Sequence, residues 1–481
     1  WEVSKDGNVY ELPVGAEVTG ETFSFTPTDD GSYSISLSVT DKDGGSSSAT
    51  TTVEVANVAP GSVTVTGAPT TSVEGTAISV SGVATDAGDD DSLSYAWNVT
   101  KNGSSYESSD EQDFSFTPTD NGAYVISLVV SDDDGGEASP IIKNVTVTNA
   151  VPTGTIAATA TGVRGRETAF VANIADVGTA DTEAVSINWG DGTSPDLRAS
   201  GSTASFDLTH TYGSTGTFPI TMTVVDDDGG TRIINSSVTI KAVAIQQDPM
   251  NSGKTALVVG GTSGADNIKF ARNSNGRIKV TINGEAQGTF APTGHIIAYG
   301  DAGANSIVVD STVVTPAVLY GGSGKDTLVG GSADDVLIGR KGNDVLVGNA
   351  GRDLLFGGVG ADSLNGGAGE DILMGGSTSG SESFAALEEI TAEWSRTDSI
   401  FANRVKHLRG TLSGGLNGSN TLTDANVFED AQADSMTGGT GRDWFFTNIL
   451  PGSGEKVSDF SPVDDIVTNV VIGISSKPPT K

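Results

Sequence analysis

Six aspartates recur at a spacing of nine residues: Asp326, Asp335, Asp344, Asp353, Asp362 and Asp371. Each is the sixth residue of a unit that opens at Gly321, Gly330, Gly339, Gly348, Gly357 or Gly366. The eighth position is leucine every time, from Leu328 to Leu373. The pattern is GGxGxDxUx, with U a large apolar residue. Carboxylates held in one phase inside glycine-rich turns suit a hard cation, and calcium takes roughly six to eight oxygens in a flexible shell. Glycine allows the positive φ of such turns and lets carbonyls point at one centre. The leucines predict a short strand after each turn with its apolar side inward. Two units close one coil, so Asp326, Asp344 and Asp362 stack on one edge and Asp335, Asp353 and Asp371 on the other. Unpaired, these stacked carboxylates repel, and a cation between coils removes the repulsion. A flexible linker has no reason to hold leucine in a nine-residue phase.

The run resembles the calcium-binding repeats-in-toxin (RTX) nonapeptides. That resemblance implies a parallel β-roll and a set of ligands. The aspartates at position six would bind together with carbonyls at position one (Gly321, Gly330, Gly339, Gly348, Gly357, Gly366) and position three (Ser323, Ser332, Lys341, Ala350, Val359, Ala368). Carbonyls at positions two and four and the aspartate of the next coil would complete the shell. Outlying copies extend the pattern. Asp266 closes a turn one residue longer, Asn305 stands where aspartate belongs in a degenerate turn, and Asp434 and Asp443 stand nine apart near the end. Calcium, as several Ca2+ ions, is therefore the expected cofactor.

Composition bounds what else the chain does. It has 481 residues, 61 acidic and 26 basic, for a net charge of −35. Phosphate backbones would be repelled, so nucleic acid is not an expected partner. Divalent cations would neutralise part of the field. There is no cysteine. No apolar run is long enough to span a membrane. The chain opens on Trp1 and reads as a piece of something longer.

Before the nonapeptides, one motif repeats. SFTPTDDGSYSISLSVTDKDGG at 24–45 returns as SFTPTDNGAYVISLVVSDDDGG at 115–136, and a looser copy closes at 210–230. Alternating strands with this repeat length predict tandem β-sandwiches. Trp189-Gly190-Asp191-Gly192 and the closing VxDDDGG resemble the polycystic-kidney-disease (PKD) immunoglobulin-like repeat over residues 1–241. The expected modules are 1–56, 57–148 and 149–241, joined at Pro60 and Pro152 by short, stiff links. Trp1 aligns with Trp97, so the first module lacks its first strands. Either the chain begins within a domain, or a neighbouring copy donates strands. Acidic loops recur: Asp86, Asp89, Asp90 and Asp91, then Asp132–Asp134 and Asp226–Asp228. Asp86, Asp89 and Asp91 are weaker calcium candidates, with a solvated Asp-Gly turn as the alternative.

Residues 242–254 read as a linker, and Asp248-Pro249 as a linker dipeptide or a cleavage site. Gly253-Lys254-Thr255 matches the tail of a phosphate loop, but the upstream glycine and the following helix are missing. The roll is expected over 255–376, metal-poor at first and parallel throughout. Residues 377–428 form an expected helical insert. Leu387, Ile390 and Trp394 share one face, and Glu388, Glu389 and Glu393 face water. Asp398 caps a second helix whose apolar positions are Ile400, Val405 and Leu408, with Gly410 as its stop. The pair either recruits a partner or covers the roll. The roll returns over 429–470, with Trp444-Phe445-Phe446 as a plug, and 471–481 is a tail.

The expected fold class is mainly β: tandem immunoglobulin-like sandwiches, then a parallel β-roll solenoid with a small helical insert. The layout is similar to large surface proteins of planctomycete-type bacteria. No HExxH, GxSxG or cysteine nucleophile is present, and His210, His295 and His407 lie far apart, so no enzyme is expected. Two functions remain. One is an extracellular calcium-binding stalk, or a surface or filament subunit that self-associates. The other is a calcium-dependent adhesin that grips a glycan or cell surface.

Overall fold

Strict alternation builds two matching sandwiches. Along Gly122–Ser131, Tyr124, Ile126, Leu128 and Val130 are buried and the residues between them are not. A three-stranded sheet (Gly61–Thr66, Ile78–Thr85, Asp113–Phe116) faces a five-stranded one (Thr71–Val73, Ser94–Lys101, Ser104–Ser109, Gly122–Ser131, Ile141–Thr148). The next module repeats this arrangement strand for strand between Thr153 and Lys241. Trp97 and Trp189 are buried in the two cores. The first module is a single four-stranded sheet (Glu2–Lys5, Asn8–Val9, Gly31–Thr40, Ser46–Val55) over Val3 and Tyr33. A computed structural model describes residues 1–12, 15–379, 382–430, 432–447 and 453–470 of the chain. The expected tail at 471–481 lies outside these.

The solenoid follows the predicted phase. Successive units alternate between two sheets, and residues eighteen apart pair in parallel. In one sheet Leu319, Leu337, Leu355, Leu373 and Phe445 are in register. In the other the row is Leu328, Leu346, Leu364 and Met436. All these side chains meet in one core between the sheets. Leu364 pairs with Met436 across the insert, so the coil continues as if the intervening residues were a single long loop.

Both sheets begin differently from expectation. Residues 242–254 are no linker: Val243–Asp248 and Asn251–Gly260 form an antiparallel hairpin at the head of one sheet. Asp248 is buried at its tip and bonded to His295. Asn267–Arg272, Ile278–Ile282 and Glu285–Phe290 form an antiparallel meander at the head of the other. The edge of a parallel stack exposes unpaired N–H and C=O groups, and the folded-back strands cover the edge of the first parallel strand in each sheet.

The helical insert covers the roll. In Val336–Lys341, Leu354–Val359 and Ile372–Met374 the residues beside the inward leucine are also apolar and buried. That sheet is therefore apolar on both faces. Helices α1 (Phe384–Trp394) and α2 (Phe401–Leu408) bury Leu387, Ile390, Trp394, Val405 and Leu408 against its outer side. Trp444 and Phe446 join this outer cluster and Phe445 the inner core, so the aromatic triplet seals two layers.

Three details of the insert depart from the helical pattern. Glu393 is fully buried, accepting from His407 and from the Leu416 amide at 2.7 Å, because the loop after α2 folds over it. Asp398 caps nothing: it pairs with Arg396, and Ile400 is the N-cap of α2 without a side-chain bond. Ile400 is 66% exposed, the cost of that position. Gly410 does end the helix with φ of 68°.

Leu346 lies in the middle of the inward row and is fully buried. Leu346→Ala should lower stability to urea by about 2–5 kcal/mol. A loss below 1 kcal/mol in calcium-saturated protein would show that the row is not close-packed.

Candidate metal centre: the aspartate ladder

Every ladder aspartate uses its two oxygens differently. One oxygen, Oδ1, accepts the backbone N–H of the residue one coil earlier. On one edge Asn305, Asp326 and Asp344 donate to Asp326, Asp344 and Asp362, each at 2.7 Å. Asp362 then donates to Asp434 at 2.7 Å, and Asp434 to Glu455 at 3.2 Å. On the other edge Ala317, Asp335, Asp353, Asp371 and Asp443 donate to Asp335, Asp353, Asp371, Asp443 and Asp465. The ladder thus binds coil to coil before any metal is considered.

The second oxygen, Oδ2, is buried and has no partner in Asp326, Asp344, Asp353, Asp362, Asp371 and Asp434. Among the six nonapeptide aspartates Asp335 is the exception, with Oδ2 accepting the Gly331 amide at 2.6 Å. Orphaned buried carboxylate oxygens are expensive. Carbonyls line the space they face. A Cβ on Gly321 would lie 2.6 Å from Asp326 Oδ2 and 2.8 Å from the Gly339 carbonyl. The first glycine of all six units borders its own aspartate in this way. Of the position-three carbonyls, those of Lys341, Val359 and Ala368 already accept one amide each, leaving a second lone pair. At position two, Arg340 and Asn349 take the positive φ that Gly322, Gly358 and Gly367 hold in their units.

Asn305 provides an internal control. Its Oδ1 accepts the Asp266 amide at 2.9 Å, as a ladder aspartate would. Its Nδ2 donates to the Gly303 carbonyl at 3.0 Å and to Gly321 at 3.4 Å. Where the amide supplies N–H, the turn carbonyls are satisfied. Where an aspartate leaves Oδ2 without a donor, acceptors meet, and a hard cation fits that donor set. Asp266 differs again. Both its oxygens accept from Thr262 and Asn283, so it lacks the free oxygen of the ladder.

Burial sets the electrostatics. It pushes Asp335 and Asp362 up to about 7, and Asp371 and Asp434 to about 8. Asp353, buried between the carboxylates of Asp335 and Asp371, rises to about 9. Asp344 and Asp443 rise to about 6.

Sequence reasoning missed three acids of this centre. Glu429 occupies the first position of the rejoined unit and is buried beside Asp434 and Glu455, rising to about 9. Glu455 and Asp465 extend the two edges where no GGxGxD pattern survives. Only the coil register places them. Of the weaker candidates, Asp86 and Asp91 come together with Asp132, their carboxylate oxygens within 4.8 Å of one another, and Asp89 is exposed. The three histidines are each tied to a separate carboxylate: His210 to Asp191, His295 to Asp248 and His407 to Glu393.

Known families agree with this reading. The RTX calcium-binding nonapeptide repeat matches residues 320–355 and 347–379, and PKD domain models match 57–147 and 155–238. The chain therefore carries calcium-binding RTX repeats behind tandem PKD domains. These are typically structural rather than catalytic modules, and they typify secreted or surface proteins. No curated protein matches. Several solved structures are similar to part of the chain. Fibronectin(III)-like modules of Clostridium thermocellum CbhA are 18% identical, covering 37% of this chain and 92% of theirs, with a TM-score of 0.16. A two-domain fibronectin type-III segment of chicken tenascin is 13% identical, covering 38% and 99%, with a TM-score of 0.24. Among the described residues no helix is long and apolar enough to cross a membrane.

Two outcomes follow. With calcium chelated, the folded roll holds protons that unfolded carboxyls, near 3.9, have released, so the native state binds more protons. Stability is then highest at about pH 4 and falls as pH rises through about 6–9. In saturating calcium the trend reverses, because protons compete with the ion. Urea melts at about pH 5 and pH 8 test both signs. Asp344→Asn, copying Asn305, should stabilise the calcium-free roll by about 1–3 kcal/mol and shrink its gain from calcium. A calcium-free roll weakened by this change would contradict the acceptor-only reading.

Proposed function

We propose that this is an extracellular structural protein, a stalk or self-assembling surface or filament subunit, whose roll folds on binding calcium outside the cell. The observation that carries this is the row of buried, unpartnered Oδ2 atoms at Asp326, Asp344, Asp353, Asp362, Asp371 and Asp434. Calcium would be held there by those oxygens with the carbonyls of positions one and three, Gly321 and Ser323 onward. It would supply the positive charge that the turns lack.

The chain's own residues do the rest. Where calcium is scarce, desolvating this many carboxylates opposes closure of the coils. Outside the cell, calcium at about 10⁻⁴–10⁻³ M suits low-affinity sites, and binding adds directly to folding free energy. The structural reading is also supported by the tryptophans. Trp97, Trp189, Trp394 and Trp444 are buried and Trp1 is half-buried against Phe23, so the tryptophans form no exposed set for stacking on sugars. Self-association draws support from the first module. Its single sheet ends on the exposed strand Ser46–Val55, and Val39 and Val53 are 58% and 45% exposed.

Circular dichroism and regional hydrogen exchange with and without chelator test this. Residues 321–376 should lose protection in chelator while 78–147 keep it. Equal exchange of 321–376 in both conditions would overturn the folding switch.

A further inference from the structure

The sandwiches meet through a second set of acids. Glu74 lies in module two, and Asp176 and Asp181 lie in module three. Carboxylate oxygens of these three lie within 4.8 Å of one another. They are not surface acids: Glu74 is 1% exposed, Asp181 3% and Asp176 9%. Glu74 Oε1 accepts the amide of Ala150, in the link between the modules, at 2.5 Å. Glu74 Oε2, Asp181 Oδ2 and Asp176 Oδ2 have no partner. Gly178 leaves the room: a Cβ there would collide with the Asp181 carboxylate and lie 2.9 Å from Glu74 Cδ. The charges acting on Asp181 are those of acids: Glu74, Asp176, Asp120 and Asp227. Asp120 and Asp228 form a second group with Asp181, and Lys101 pairs with Asp120.

The joints themselves are built alike. Ala180 donates its amide to the Thr119 carbonyl at 3.0 Å, and Asp90 to Thr28 at 3.1 Å at the joint before it. Asn149 donates to Asp226, and Asn57 to Asp132, each at 3.0 Å. The joint between module three and the roll breaks the series at one position. Arg164 stands where module two has Glu74, followed in both by glycine. Arg164 donates to the Gly260 and Gly261 carbonyls, and Arg166 pairs with Asp301. There, built-in cations hold the neighbours together. At the Glu74 joint three carboxylates converge, and Lys101 beside them is taken up by Asp120.

We propose that a calcium ion bridges Glu74 to Asp176 and Asp181 and clamps module two to module three. Three carboxylates around one small, oxygen-lined space are a donor set for a hard divalent cation. Burying them without one leaves uncompensated charge between two domains. Burial and the neighbouring Glu74 and Asp176 charges push Asp181 up to about 7, in keeping with that cost. Calcium would thus act twice in this chain, folding the roll and stiffening the stalk before it.

Hydrogen exchange on the whole chain, in calcium chloride and in chelator, separates the two. Amides of 146–152 and 174–183 should exchange at least about tenfold more slowly in calcium. Glu74→Gln and Asp181→Asn should abolish that difference and leave the response of 321–376 intact. Glu74→Arg, copying Arg164, should protect the joint with or without calcium. Joint amides indifferent to calcium while the roll responds would overturn the clamp, as would a Glu74→Gln chain that keeps full protection. A joint that responds while the roll does not would sustain the clamp and overturn the folding switch.

Discussion

A carboxylate with one oxygen satisfied and the other facing only acceptors is the constraint on which this structure turns. Oδ1 is tied to the coil before, so the aspartate cannot rotate away to water. Oδ2 is thereby fixed in a space bordered by turn carbonyls. Removing such an oxygen from water without a partner costs more than a neutral hydrogen bond returns. The hydrophobic rows of leucine supply the opposing drive. Fold stability therefore depends on what charge is present between the coils, which couples folding to the medium.

The same logic explains what lies around the ladder. One sheet is apolar on both faces and needs a cover, which α1 and α2 provide. Their attachment is itself electrostatic: Glu370 gathers Arg352, Arg404 and Arg442 from three elements, and the Trp394 ring N–H donates to its carbonyl at 2.7 Å. At the head of the roll Asp266 and Asn305 are satisfied by protein donors, so that end holds together without a cation. At the far end Glu429, Glu455 and Asp465 replace the repeat with longer or shifted acids. Acidic character is thus maintained along the stack even where the glycine pattern has decayed.

The period, the phase of Leu328 to Leu373 and the stacking of Asp326 on Asp344 were legible in the residues alone, because a solenoid repeats one local conformation and a repeat is visible in one dimension. The sandwich modules were legible for the same reason, through alternation and through their recurring acidic turns. Several features were not legible. Glu393 reads as a solvated helix position until a distant loop folds over it. Asp248 and the strands beside it read as a linker until the roll offers an edge to pair with.

The sequence by itself determined the class of fold, the ladder and its metal, since all three follow from spacing between near neighbours. The tertiary structure decided which oxygen of each aspartate is free, which face of the roll is covered, and that Glu74 meets Asp176 and Asp181. Each of these depends on contacts between residues far apart in the chain. Such contacts are set by how coils stack and how domains seat on one another, and no local pattern encodes them.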